Sequence, residues 1–191
     1  MKVLGVFLLI LGSVASVLGA SDNDFNTSSH EVKGFIGRGL LVLGTEEVRT
    51  GGGIGYAYAR REPRFFINKI PAQVVYEGYF ETTKSPGVFG AAPDTSFAVG
   101  GLAYARWLLP ANRHGLGAFV DLGWGLQAQN HATDNLDSIV NSTPLLDAGA
   151  TIAIGKQEFM LGARYLHISN AGTKGHNKGE NQLFLLIGFR Y

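Results

Sequence analysis

The chain has no cysteine, which removes disulfides and thiol chemistry from consideration. It also lacks an excess of charge of either sign. Its 16 Lys and Arg stand against 15 Asp and Glu, and this balance argues against a nucleic-acid partner, which would favour a basic surface. Past residue 20 no apolar run is long enough for a membrane-spanning helix. No solenoid-type repeat and no low-complexity linker is found.

What the chain has instead is glycine, at 27 residues, and aromatic side chains, at 11%. Residues 1–20 read as a secretory signal peptide: Lys2 gives a positive start, Val3 to Leu11 is apolar apart from Gly5, and small residues lead up to Gly19 and Ala20. Removing it leaves about 170 residues, enough for one domain. Residues 21–34 are polar and are expected to form a flexible N-terminal segment, with the structured domain over 35–191. An exported chain that is rich in glycine and aromatics, yet has no spanning helix, fits a membrane β-barrel better than a soluble enzyme.

The rest divides into about eight strand-like stretches separated by Gly, Pro, Asn and Asp clusters, near 35–47, 53–61, 72–82, 95–109, 116–127, 144–155, 157–169 and 183–191. Gly51-Gly52-Gly53 reads as a turn. Over 116–127, Leu116, Ala118, Val120, Leu122, Trp124 and Leu126 share one face, while Phe119, Asp121, Gln127 and three glycines share the other. Such a pattern suits a soluble sandwich with the apolar face inside, or a membrane barrel with that face in lipid. The final stretch helps to decide. Leu183, Leu185, Ile187, Phe189 and Tyr191 alternate up to the terminus, which resembles the assembly signal of bacterial outer-membrane barrels. The expected fold is therefore all-β, an eight-stranded antiparallel outer-membrane β-barrel. Its interior at that size is filled by side chains, so a pore function is not expected.

In 158–169 the odd positions, Phe159 to Ser169, make the better lipid face, and His167 and Ser169 end that stripe. Two apart on an extended strand, they project from one face, the minimal arrangement for activating a serine nucleophile. With both termini in the periplasm, as is usual for even-stranded barrels, the pair lies near the outer surface and 170–180 forms an external loop.

His167-x-Ser169-Asn170-Ala171-Gly172, followed by Asn177-x-Gly179, resembles the lipid A 3-O-deacylases known as PagL, also called acyloxyacyl hydrolases. The resemblance is close over 164–191 and loose over the rest. It implies a carboxylic ester hydrolase of the bacterial outer membrane that removes the 3-O-linked acyl chain of lipid A within lipopolysaccharide. By position, Ser169 is the implied nucleophile, His167 its general base, Asn170 a member of the oxyanion site, and Gly172 the tight turn with a backbone N–H on offer. The family's glutamate, fourteen residues after the histidine, is replaced here by Asn181, with Glu180 one residue before it. Parity favours Asn181, which shares the odd face with His167 and Ser169; Glu180 remains the alternative.

No cofactor and no metal is expected. His30, His114, His131 and His176 lack ligand spacing and read as exposed loop residues. Arg60, Arg61, Arg64, Lys84, Arg106 and Lys174 read as solvated rim charge, with contact to lipid A phosphates as a second reading. The partners expected are lipid A and the outer membrane, with a homodimer left open. Two other functions stay in contention: a non-enzymatic barrel in adhesion or envelope structure, and a phospholipase-like barrel.

Overall fold

Successive side chains on a strand turn to opposite faces. In the computed structural model this alternation sorts the chain into an apolar exterior and a charged, aromatic interior. The structure describes residues 28–67, 70–87, 92–109 and 111–191; the signal peptide expected over 1–20 lies outside them. The strands are β1 (Ser29–Gly39), β2 (Thr50–Ile67), β3 (Ile70–Ser85), β4 (Asp94–Leu109), β5 (Leu116–Gln129), β6 (Val140–Ser142), β7 (Leu145–Ile154), β8 (Gln157–Ile168) and β9 (Glu180–Arg190). All pairings among them are antiparallel, and those of β1 with β9 and of β4 with β5 close the sheet into a barrel. Closure leaves no open edge, as lipid requires.

β6 and β7 are one strand in two pieces. Both pair with β5 in a single register, Leu126 opposite Ser142 and Gly123 opposite Leu145. Only Thr143 and Pro144 part them, and proline has no N–H to give the ladder. The barrel is thus eight-stranded, as the alternation predicts. Two ends differ in character. The start of β1, Tyr191 and short turns such as Gly155-Lys156 mark one, the turn rim. The longer connections 40–49, 86–93, 130–139 and 169–179 mark the other, the loop rim.

Three expectations about the strands need correction. β1 begins at Ser29, so residues 29–34 are strand and not part of a loose segment; Glu31 and Lys33 anchor them by pointing into the core. The stretch expected at 35–47 stops at Gly39. Leu43 and Gly44 both take positive φ, at 51° and 96°, and fold the apolar Leu41-Val42-Leu43 into an exposed loop. Gly51-Gly52-Gly53 is not a turn but the start of β2, opposite Gly37, Ile36 and Phe35. A Cβ at Gly53 would run into the Phe35 ring, so this glycine lets β2 pass close over that aromatic.

The exterior carries Ile54, Tyr76, Val99, Trp124, Leu161 and Leu185, all exposed. This is the apolar band of a membrane barrel. At the turn rim, His30 stacks among Tyr56, Tyr58 and Tyr191, with its Nδ1 2.6 Å from the Tyr56 hydroxyl. His30 is therefore a strand residue in an aromatic girdle and not a loop histidine.

Inside, a buried ion network fills the waist. Arg164 donates to both Glu77 oxygens, at 2.6 and 2.9 Å, and to Asp147 at 2.9 Å. Lys33 bridges Glu77 at 2.8 Å and Glu31 at 3.2 Å. Arg106 clamps Asp121 at 2.6 and 2.7 Å and also reaches Glu31. Arg106 is therefore fully buried, not a rim cation. Phe35, Phe119, Phe184 and Leu186 pack around these charges. Charge this deep is tolerated only because each cation has carboxylate partners.

Candidate active site

β8 and β9 place the site at the loop rim. Their register sets His167 directly opposite Asn181 and Ile168 opposite Glu180. Directly opposed residues point the same way, so His167 and Asn181 share the outer face, and Glu180 turns inward. The side chains follow suit. His167 Nδ1 lies 2.8 Å from Asn181 Oδ1. Glu180 accepts from Thr133 Oγ1 at 2.6 Å inside the barrel and has no bond to His167.

Asn181 is completely buried although it sits on the outer face, because the 40–49 connection folds over it. Its amide nitrogen donates to Val42 O at 2.9 Å and to Thr45 Oγ1 at 2.7 Å; Thr45 in turn donates to Gly179 O at 2.9 Å. A backbone carbonyl can only accept, so Val42 O fixes which end of the amide is nitrogen. The amide oxygen must then face His167. An oxygen that can only accept calls for N–H at Nδ1, which leaves Nε2 as the ring's acceptor. The Tyr165 hydroxyl donates to the same Asn181 oxygen. Gly179, with φ 72°, presents no side chain to the imidazole; a Cβ there would sit 3.0 Å from His167 Cε1. Backbone bonding from His167 N to Pro144 O, 3.0 Å, holds the histidine to the neighbouring strand.

Ser169 is half-buried on the same face, two residues on. Its hydroxyl lies 3.1 Å from Ser142 Oγ, and no hydrogen bond joins it to His167. Asn170 points inward and is buried. Both hydrogens of its amide are committed, to Lys174 O at 2.7 Å and His176 O at 3.1 Å. Its side-chain oxygen accepts from Gly172 N at 2.9 Å, and its own N–H goes to Asn177 Oδ1 at 3.0 Å. Ala171 and Gly172 both take positive φ, at 53° and 73°, making a sharp turn immediately after the serine. Asn170 and Asn177 thus knit the 170–177 loop, and the spacing of the two asparagines in the sequence reflects that knitting.

Chemically, the rim offers a histidine with an oriented ring, a hydroxyl on the same face, and an apolar wall below them in which Tyr165 faces Leu183. Thr45, Ser142 and the Tyr165 hydroxyl are members of this cluster that sequence reasoning missed. Thr45 has no local signal, since a loop brings it across 136 positions. Ser142 was within reach of arithmetic. With Ile154 opposite Gln157 across a two-residue turn, counting up both strands brings Ser142 opposite Ser169. Of the other histidines, His131 bonds Asp94 at 2.8 Å and His114 lies beside Arg113. Among the described residues no group of three or more His, Asp or Glu is placed to hold a metal ion.

A family model described as lipid A 3-O-deacylase (PagL) matches residues 55–190. No curated protein sequence matches. Among solved structures, the chain is similar to the outer membrane enzyme PagL, at 18% identity and a TM-score of 0.57, over 83% of this chain and 97% of that one. It is also similar to Neisserial surface protein A (NspA), at 13% identity and a TM-score of 0.55, over 85% of this chain and 95% of that one. At such identities the two structures speak for the barrel fold, and the family model for descent.

Proposed function

Because the chain belongs to the lipid A 3-O-deacylase (PagL) family, we propose that it is an outer-membrane esterase that hydrolyses the 3-O-linked acyl chain of lipid A. Ser169 is the nucleophile, His167 the general base and Asn181 the residue that orients it. The observation that carries this reading is the outward-facing His167–Asn181 pair, 2.8 Å apart, beside Ser169 at the end of a lipid-facing stripe. A water-soluble substrate would be poorly served by a site on that surface. A lipid ester held at the membrane interface would meet it.

The rim that bears the site is the outer one, since the start of β1 and Tyr191 lie together at the opposite rim and periplasmic turns are short. The substrate's acyl chain lies along the wall beside Tyr165 and Leu183. Ser169 gives its proton to His167 Nε2 and attacks the ester carbonyl. The sugar oxygen leaves with that proton, and water then releases the acyl group from Ser169 by the reverse roles. Asn181 works as the acceptor for Nδ1–H, although an amide stabilises the imidazolium less than a carboxylate does. The Asn170–Gly172 turn shapes the rim beside the serine, but the Gly172 N–H is not on offer to an oxyanion, being committed to Asn170 Oδ1, as the Asn170 N–H is to Asn177 Oδ1. Asn170 contributes by folding that turn, its own amide being committed to the loop.

Asn181→Ala frees the ring and removes its tautomer control, and is expected to lower kcat/KM by about 10²-fold or more. Glu180→Ala, acting only inside the barrel, is expected to lower it by less than about tenfold. Rates on purified, detergent-solubilised protein compare the two, and the reverse order would remove Asn181 from the mechanism. The activity itself is tested by mass spectrometry of lipid A from outer membranes with and without the protein. Loss of one hydroxyacyl mass is expected. An unchanged profile with folded protein in the membrane would overturn the deacylase in favour of a structural barrel or a different ester substrate.

A further inference from the structure

Ser142 stands directly across from Ser169 on the neighbouring strand. Two backbone bonds lock the pair, Ser142 N to Ser169 O at 2.7 Å and Ser169 N to Ser142 O at 3.0 Å. The Ser142 hydroxyl donates to Ser169 O at 3.0 Å and lies 3.1 Å from Ser169 Oγ. We propose that Ser142 is a second catalytic hydroxyl, which donates a hydrogen bond to the oxyanion formed on the ester when Ser169 attacks. This inference rests on the reading of Ser169 as nucleophile.

Three features of the geometry support it. First, a donor is needed, because the Asn170 amide, the obvious candidate, has both hydrogens on loop carbonyls. Second, the Ser142 hydrogen is available. Ser169 O already accepts the backbone N–H of Ser142, so the hydroxyl's bond to it duplicates one already made and is cheap to release. Third, the distance suits. The carbonyl oxygen of an ester attacked by Ser169 Oγ hangs on the very atom that Oγ bonds. Ser142 Oγ, one hydrogen bond from that Oγ, can turn its hydrogen toward it about the Cβ–Oγ bond.

The same hydrogen bonds define a resting state. A hydroxyl has one hydrogen. With that of Ser142 directed at Ser169 O, Ser169 is the donor in the bond between the two hydroxyls, and its proton points away from His167. On substrate binding Ser169 turns toward His167. The Ser169 proton passes to Nε2, the new C–O bond forms, the carbonyl π pair moves onto oxygen, and Ser142 donates to that oxygen without losing its own proton. When the tetrahedral species collapses, the pair returns, the sugar oxygen departs with the proton from Nε2, and the Ser142 hydrogen swings back to Ser169 O.

The test is steady-state kinetics on lipid A in detergent micelles with Ser142→Ala, Ser142→Thr and Ser169→Ala, each first shown to be folded by heat-modifiable electrophoretic mobility. Loss of one oxyanion donor is expected to reduce kcat about 10²-fold in Ser142→Ala with KM changed by less than about threefold. Ser142→Thr keeps the hydroxyl and is expected to retain most of kcat. Unchanged kcat in Ser142→Ala would overturn the proposal, as would an equal fall in both Ser142 variants, which would mark a packing role. If instead Ser169→Ala still turns over, the nucleophile itself is wrong and the Ser142 assignment falls with it; this outcome is distinct because Ser169 and not Ser142 then tolerates replacement.

Discussion

Ser169→Ala is expected to leave the lipid A ester intact, with turnover reduced by about four orders of magnitude or more, and His167→Ala to do the same. The two residues act as one unit. Without the hydroxyl there is nothing for the imidazole to deprotonate, and without the imidazole the hydroxyl proton has no acceptor, since its present partner is Ser142, itself a hydroxyl. The double variant should therefore be no slower than either single one. Neither change touches the fold's support, because both side chains lie half-buried on the outer face, away from the ion network. The measurement is the rate of hydroxyacyl release by purified variants. Losses that multiply in the double variant, or residual activity above about 1% in either single one, would contradict a shared mechanism.

The second large effect concerns stability. Arg164→Ala is expected to destabilise the barrel by about 3–5 kcal/mol, because it strands buried charge. Arg164 is the cation shared by Glu77 and Asp147, and its guanidinium also lies 5.1 Å from the Phe35 ring centre. Its removal leaves Glu77 with Lys33 as its one ion-pair partner and Asp147 with none among the described residues. Arg164→Lys should recover only part of the loss, since one ammonium cannot make the paired contacts of the planar fork. Urea unfolding in lipid vesicles, followed by tryptophan fluorescence, reads the change. A shift smaller than about 1 kcal/mol would mean that Glu77 and Asp147 are not left as uncompensated buried charge.

Much of the barrel was legible because lipid imposes a simple rule on strands. Leu122, Trp124 and Leu126 face out while Asp121 and Gln127 face in, as their alternation requires. The parity of His167, Ser169 and Asn181 was readable for the same reason, and their register follows from the β8–β9 ladder. Where the rule weakens, so did the reading. Leu40-Leu41-Val42-Leu43 has the composition of a strand, yet it forms a loop whose backbone serves Asn181 through Val42 O. Nothing in those four residues announces a carbonyl as their working part. Glycine misled in the opposite sense. Three in a row signal a turn by composition, but Gly53 meets the Phe35 ring and Gly51 and Gly52 meet neighbouring backbone, so glycine is the strand residue that fits there. Arg106, which looks like surface charge in the sequence, needed the positions of Asp121 and Glu31 before its burial made sense.

The ionic interior has a bearing on how the molecule comes together. Its members come from β1, β3, β4, β5, β7 and β8, and the Glu31 and Lys33 of the first strand contact partners on β3 and β4 as well as each other. These contacts converge on the lumen only once β1 meets β9. A nascent sheet that has not yet curled shut presents that array of bare carboxylates and cations on its concave side, where water welcomes it and hydrocarbon refuses it. Sealing the β1–β9 seam is thus what keeps this ionic array turned away from hydrocarbon, so the strand pair that closes the cylinder also shelters its charges.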